Sequence, residues 1–263
     1  MIKSIDTTRY KIRYSDQGAG SVCVLLHGYL ESIDTFDAIT SELSKRARVI
    51  CIDLPGHGKS VFKQENVSID DMADAVNTVI QHLNVDNVHM LGHSMGGYVA
   101  LAYADKYADK LASFSFLHST ANADSEEKRA NRVREIELIR KDKKELICGT
   151  AVPNTFSKKN QKAFAEEIEE LTEIASKTSD EGIIAALNAM MNRSDRNETL
   201  KVLRIPKYSF IGKEDNFIPY ERGMTWAKDN GMKAFVFEHS GHMSFVEEKE
   251  KCINVMMEIL SLR

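Results

Sequence analysis

No run in this 263-residue chain approaches the roughly 18 consecutive apolar residues that a membrane-spanning helix needs, so a membrane span is not expected. The first twenty residues, MIKSIDTTRYKIRYSDQGAG, hold no apolar core of the kind a secretory leader carries, and a cytoplasmic location is expected. Neither sign of charge dominates: the formal net charge is −4 and the pI is near 6.1. Neither nucleic acid nor an anionic membrane surface is expected as a partner. Cys23, Cys51, Cys148 and Cys252 show no C-x-x-C spacing, which argues for buried structural thiols over disulfides or ligands. His57, His82, His89 and His118 lack any spacing such as H-E-x-x-H. No metal and no cofactor are expected.

A nucleotide site is also missing, although one stretch imitates it. IDLPGHGKS (52–60) ends in the tripeptide that closes a phosphate-binding P-loop. The position where that pattern requires its first Gly holds Asp53, whose carboxylate would face the phosphates, and Pro55 removes an N–H donor from the cradle. The residues after Ser60, VFKQENVS, make a poor helix opening, whereas a P-loop runs straight into one.

What is present is an ordinary globular composition, 43% hydrophobic and 28% charged, in a length that suits one large domain or one with an insertion. Thr8–Tyr14 alternates in character and predicts an antiparallel strand or hairpin. SVCVLLHG, RVICIDLPGHG and NVHMLGHSMGG are apolar runs feeding Gly-rich turns; LASFSFLHS, KYSFIGKED and KAFVFEHSGH are further runs of this kind. Helical patterns lie between them, such as Ile69–Leu83. Strands alternating with helices predict a mostly parallel α/β sheet covered on both faces. From about Ala121 to Leu203 no strand run occurs, only charged helical sequence, which reads as an inserted helical cap. Within it, Ser179 suits the cap of a helix carrying Ile183, Ile184, Leu187, Met190 and Met191.

The most informative stretch is VHMLGHSMGGYVALAYA. Gly92-His93-Ser94-Met95-Gly96 is G-x-S-x-G at a strand-to-helix junction, where a nucleophile elbow holds its Ser in a strained turn. Small flanking residues are required there; Gly92 and Gly96 supply them, and Gly97 lets the helix approach the sheet. The hydroxyl needs a base, and the base an orienting acid, in the chain order Ser, acid, His. Asp215 follows one late strand run and His242 the last one. Glu214 beside Asp215 and His239 beside His242 are the competing choices, and His93 reads as a packing residue.

HGYL, DLPGHGKS, GHSMGG, GKEDNFIP and SGHMSF, in that order, resemble the motifs of the α/β-hydrolase fold family, in its capped, esterase-like branch. The resemblance implies a mostly parallel eight-stranded sheet with helices on both faces, with residues 1–120 and 204–263 as core and 121–203 as cap. It implies Ser94 as nucleophile, His242 as general base and Asp215 as orienter. The backbone N–H groups of Tyr29 and Met95 would form the oxyanion hole, with His27 holding the oxyanion loop. Met190 and Met191 are either core or pocket lining. The expected chemistry is hydrolysis of a small or medium carboxylic ester, thioester or lactone, a small-molecule substrate. Carbon–carbon bond hydrolysis uses the same triad. HGYLES lacks the H-G-G-P-G of proline iminopeptidases, and Tyr98 stands where the similar lyase of menaquinone synthesis has Arg. A binding protein on a retired hydrolase scaffold is the rival from another class, as is an interaction module using the charged cap. Oligomeric state leaves no mark in the sequence.

Overall fold

Residues 2–64 and 66–261 are described by a computed structural model. The alternating N-terminal stretch forms an antiparallel hairpin of β1 (Ile2–Asp6) and β2 (Tyr10–Gln17), with Ile5 opposite Ile12. β2 also runs antiparallel to β4 (Arg48–Ile52), and there the sheet changes character. β4 pairs parallel with β3 (Val22–Leu26), and β3 with β6 (Val88–His93). β7 (Leu111–Leu117), β8 (Lys207–Gly212) and β9 (Lys233–Phe237) continue in parallel. The eight expected strands form the continuous path β1-β2-β4-β3-β6-β7-β8-β9. A ninth, the two-residue β5 (Val61–Phe62), pairs Tyr10 and Lys11 of β2, so the sheet has nine strands. A two-residue pairing is too short to leave a hydrophobic pattern in the sequence.

Successive strand residues point to opposite faces, and Cys23, Val24, Leu25 and Leu26 of β3 are all fully buried. Both faces are therefore covered, as continuous apolar strands require. The covering helices include α1 (Asp37–Leu43), which packs on α11 (Lys249–Ser261), and α2 (Ile69–His82), which packs on α3 (Met95–Tyr107). α2 starts where Ser68 and Asp71 cap each other: the Ser68 hydroxyl accepts from the Asp71 N–H, and the Asp71 carboxylate accepts from the Ser68 N–H. Its apolar stripe, including Met72, Val76, Val79 and Ile80, is buried, each such side chain contributing roughly 1.5–3 kcal/mol. All four cysteines are buried and unpaired.

Between β7 and β8 the chain makes only helices: α4 (Glu126–Ile139), α5 (Lys144–Thr155), α6 (Ala165–Ser176), α7 (Asp180–Met191) and α8 (Asn197–Val202). Ser179 caps α7 by accepting from the Gly182 N–H. The P-loop mimic is a turn after β4 organised by the same Asp53 that excludes a phosphate. Its fully buried carboxylate accepts from the Ile33 N–H at 2.8 Å, the Lys59 N–H at 2.9 Å and Arg13 at 3.2 Å. Because β3, β4, β6, β7, β8 and β9 run parallel, the loops after them emerge at one edge of the sheet. That edge carries the candidate site.

Candidate active site

Ser94 stands between β6 and α3 with φ 47° and ψ −113°, a backbone conformation an L-residue adopts only under constraint. The constraint is close approach. A Cβ on Gly92 would lie 2.3 Å from the Gly96 carbonyl oxygen, and one on Gly96 would lie 2.2 Å from that of Leu26. The Ser94 N–H donates to the Leu117 carbonyl at 3.0 Å, and its own carbonyl accepts from the Ser119 hydroxyl at 2.7 Å. Met95 is the first residue of α3, where N–H groups have no intrahelical partner.

Asp215, after β8, lies 2.8 Å through its Oδ2 from Nδ1 of His242, in the loop after β9. Its Oδ1 accepts from the N–H groups of Phe217 at 2.8 Å and Ile218 at 3.0 Å. Burial alone would raise this carboxyl, but the two imidazoles and their hydrogen bonds outweigh it and hold Asp215 far below the usual carboxylate range. The competing residues lie elsewhere. Glu214 bonds the Ser157 hydroxyl at 2.6 Å and Lys159 at 2.7 Å, and His239 is exposed.

A second imidazole shares the acid. His118, at the end of β7 with φ 50°, places Nδ1 3.2 Å from the same Asp215 oxygen and Nε2 2.7 Å from the Ser244 hydroxyl. Complete burial pushes it down to about 4, against the pull of Asp215, so it is neutral, with Nδ1–H donating and Nε2 accepting. His118, Asp215 and His242 bring ligand-type atoms within 4.8 Å of one another, the spacing of a metal site. Here both Nδ1 atoms aim at one carboxylate oxygen as donors. A ring nitrogen that carries a hydrogen offers no lone pair on that side, so the trio fits a hydrogen-bond network better than a metal.

After β3, Nδ1 of His27 bonds the Gly28 carbonyl at 2.8 Å and Nε2 accepts from the Leu54 N–H at 2.9 Å. Burial holds His27 below its ordinary value, consistent with a neutral ring fastening this loop to the turn after β4. Glu31, which no sequence motif flagged, bonds the Gly28 N–H at 2.6 Å and reaches His93. Tyr29 packs edge-on to His57 and its hydroxyl lies 3.4 Å from Glu135 of α4. At the start of the insertion, Asp124 is held by Arg132 and, at 2.7 Å, by Arg193, whose guanidinium stacks 3.8 Å above the Tyr98 ring. Met190 is buried in the core cluster and Met191 is half-buried.

A strained serine elbow and a carboxylate–imidazole pair at one edge of a parallel sheet define a class of α/β enzyme. The chain belongs to the alpha/beta hydrolase fold family, whose model matches residues 22–249. Among solved structures, a thermophilic esterase from Thermogutta terrifontis superposes with a TM-score of 0.93 at 28% identity, covering 99% of this chain and 98% of that one. The AB hydrolase superfamily protein YisY of Bacillus subtilis (strain 168) is 29% identical over 256 residues, 90% of each chain. A proline iminopeptidase of Clostridioides difficile (strain 630) is 26% identical over 276 residues, 97% of this chain and 94% of its own. Among the described residues, no helix is long and apolar enough to cross a membrane.

Proposed function

We propose that the protein is a serine hydrolase acting on small or medium carboxylic esters, thioesters or lactones. The observation that carries this is the 2.8 Å contact between Asp215 and Nδ1 of His242. With Nδ1–H given to the acid, Nε2 is the nitrogen left to take a proton from Ser94. Ser94 Oγ attacks the acyl carbon as His242 takes its proton, and the leaving group departs with that proton. Water, activated by the same ring, then releases the acid and restores the serine. The N–H groups of Met95 and Tyr29 receive the developing oxyanion, each worth roughly 3–4 kcal/mol when aligned. Residues 121–203 act as a cap over this edge, and Met190 and Met191 belong to the packing beneath it. The likeness to a thermophilic esterase over almost the whole chain supports the ester reading. The H-G-Y-L sequence at 27–30, in place of H-G-G-P-G, weighs against a peptidase.

Fluorophosphonate labelling of the protein tests this, read by intact mass and peptide mapping. One adduct on Ser94 is expected, lost in Ser94→Ala, whose kcat on a reactive ester should fall by about 10⁶-fold. A folded protein that takes no label, or a Ser94→Ala variant that keeps its activity, would overturn the assignment. A panel of esters of graded chain length, lactones, vinylogous diketones and prolyl amides then ranks the substrate classes.

A further inference from the structure

We propose that Glu31 and His93 form a buried charged pair that positions three loops of the site together, and that turnover depends on this positioning. The proposal rests on the Ser94–His242–Asp215 reading above. His93 is fully buried and the Glu31 side chain is 11% exposed. Nδ1 of His93 lies 2.9 Å from one Glu31 oxygen and 3.0 Å from the other, and Nε2 lies 3.0 Å from the backbone carbonyl of His242. A carbonyl only accepts, and so does an ionised carboxylate. The His242 carbonyl requires a hydrogen on Nε2; with Glu31 ionised, as its contact from the Gly28 N–H favours, Nδ1 carries one too and His93 is an imidazolium.

Each end of the pair holds a different part of the site. Glu31 accepts from the Gly28 N–H at 2.6 Å and so closes the loop that carries Tyr29. Within that loop Leu30 has φ 62°, a left-handed conformation that a branched residue keeps only where its surroundings enforce it. His93 is the residue before Ser94, and its far nitrogen grips the backbone of His242. The elbow, the oxyanion loop and the base loop thus meet on one pair. The titratable groups facing it are Asp215 and the imidazoles of His27, His118 and His242, with the Phe245 ring 4.9 Å away on the apolar side. A buried ion pair gives little net stability compared with apolar packing. What it supplies is direction: one bond holds the Gly28 backbone, one holds the His242 backbone, and the third joins them through the residue before Ser94.

Two readouts test this. In protein labelled with ¹⁵N-histidine, both ring nitrogens of His93 should be protonated at neutral pH, and Glu31→Gln should convert the ring to a singly protonated form. A neutral His93 in the wild type would overturn the proposal, and this measurement needs no turnover. In kinetics, Glu31→Ala and His93→Ala should each lower kcat by about 10- to 100-fold with KM little changed. The double variant should be no worse than either single one, since both remove the same link. Glu31→Gln, which can still accept from Gly28 and donate to a neutral His93, should recover most of kcat. Folded alanine variants with unaltered kcat, or with additive losses, would overturn the positioning role. If Ser94→Ala remains active, the triad reading fails instead, and the His93 spectrum still reports on the pair.

Discussion

Four donors converge on one carboxylate at Asp215: two backbone N–H groups on Oδ1 and two imidazoles on Oδ2. An acid in a Ser-His-Asp arrangement needs only one imidazole, so His118 requires its own account. It divides the carboxylate's negative charge, and through Ser244 it anchors the short α10 (Ser244–Glu247) that follows His242. His118→Asn suits the left-handed backbone at this position, because Asn tolerates φ near +50°, yet its shorter side chain does not span both partners. Losing one hydrogen bond to a charged group, about 1.5–3 kcal/mol, should lower kcat by about tenfold or more. Steady-state kinetics of the folded variant on a simple ester check this, and an unaltered kcat would make His118 only a packing group. Asp215 and His242 were legible in the sequence because each directly follows a strand run and sits in a recognisable loop. His118 follows a strand run too, but its meaning lies in a contact with a residue 97 positions away. The same holds for His93, read as packing alone until its partners 62 and 149 positions distant come into place.

At the scale of elements, the helical insertion is tied to the candidate base by the segment from Asn154 to Asn160, which runs from the last residues of α5 into the loop before α6. The Thr155 carbonyl accepts from the N–H of His242 at 2.7 Å, and the Asn154 carbonyl accepts from Asn216 at 2.9 Å. Glu247 of α10 gathers the Ser157 N–H at 2.9 Å, the Asn160 amide at 2.9 Å and the Gly241 N–H at 2.8 Å. An insertion that swings freely would have to break all of these, and here they tie it to the loop that carries His242. The amides of Gly241 and His242 should therefore resist hydrogen exchange in the resting protein. Glu247→Ala removes the acceptor of the Ser157 and Gly241 N–H groups and one of the two acceptors of the Asn160 amide. It should lower stability by about 2–4 kcal/mol and speed exchange at those two amides ahead of the sheet. Fast exchange there in the wild type would mean the segment detaches and the insertion opens as a lid. The helices of this region were legible from Ser179, from the charged runs and from the lack of strand patterns. Their docking was not, because it depends on polar backbone contacts that carry no periodicity.

Over the whole molecule, the histidines set an acid response opposite to what one well-paired imidazole would give. His27, His57, His89 and His118 are each held below their ordinary value of 6.5, chiefly by burial, with His57 pushed down to about 3 and His118 to about 4. Groups depressed in this way stay neutral when folded and take up protons on unfolding, so stability falls as pH drops below about 6.5. His93 is the counterweight, raised by Glu31 and by the His242 carbonyl despite its burial. Its contribution is fully present below 6.5 and is lost only as pH rises through its folded value. Four against one leaves a net proton uptake, worth about 1.4 kcal/mol per pH unit for each proton. A second loss follows nearer pH 4 and below, as carboxylates held low in the fold, among them Asp215, Glu31 and Asp124, are protonated. Denaturant titrations between pH 7 and 5 should show unfolding free energy falling steadily. His57 is the group on which to test the cause, since neither of its ring nitrogens has a well-formed hydrogen bond and burial is its main perturbation. His57→Asn should flatten the slope by close to one proton's worth, whatever it does to absolute stability. An unchanged slope would mean that His57 reaches solvent and titrates as freely in the folded chain as in the unfolded one.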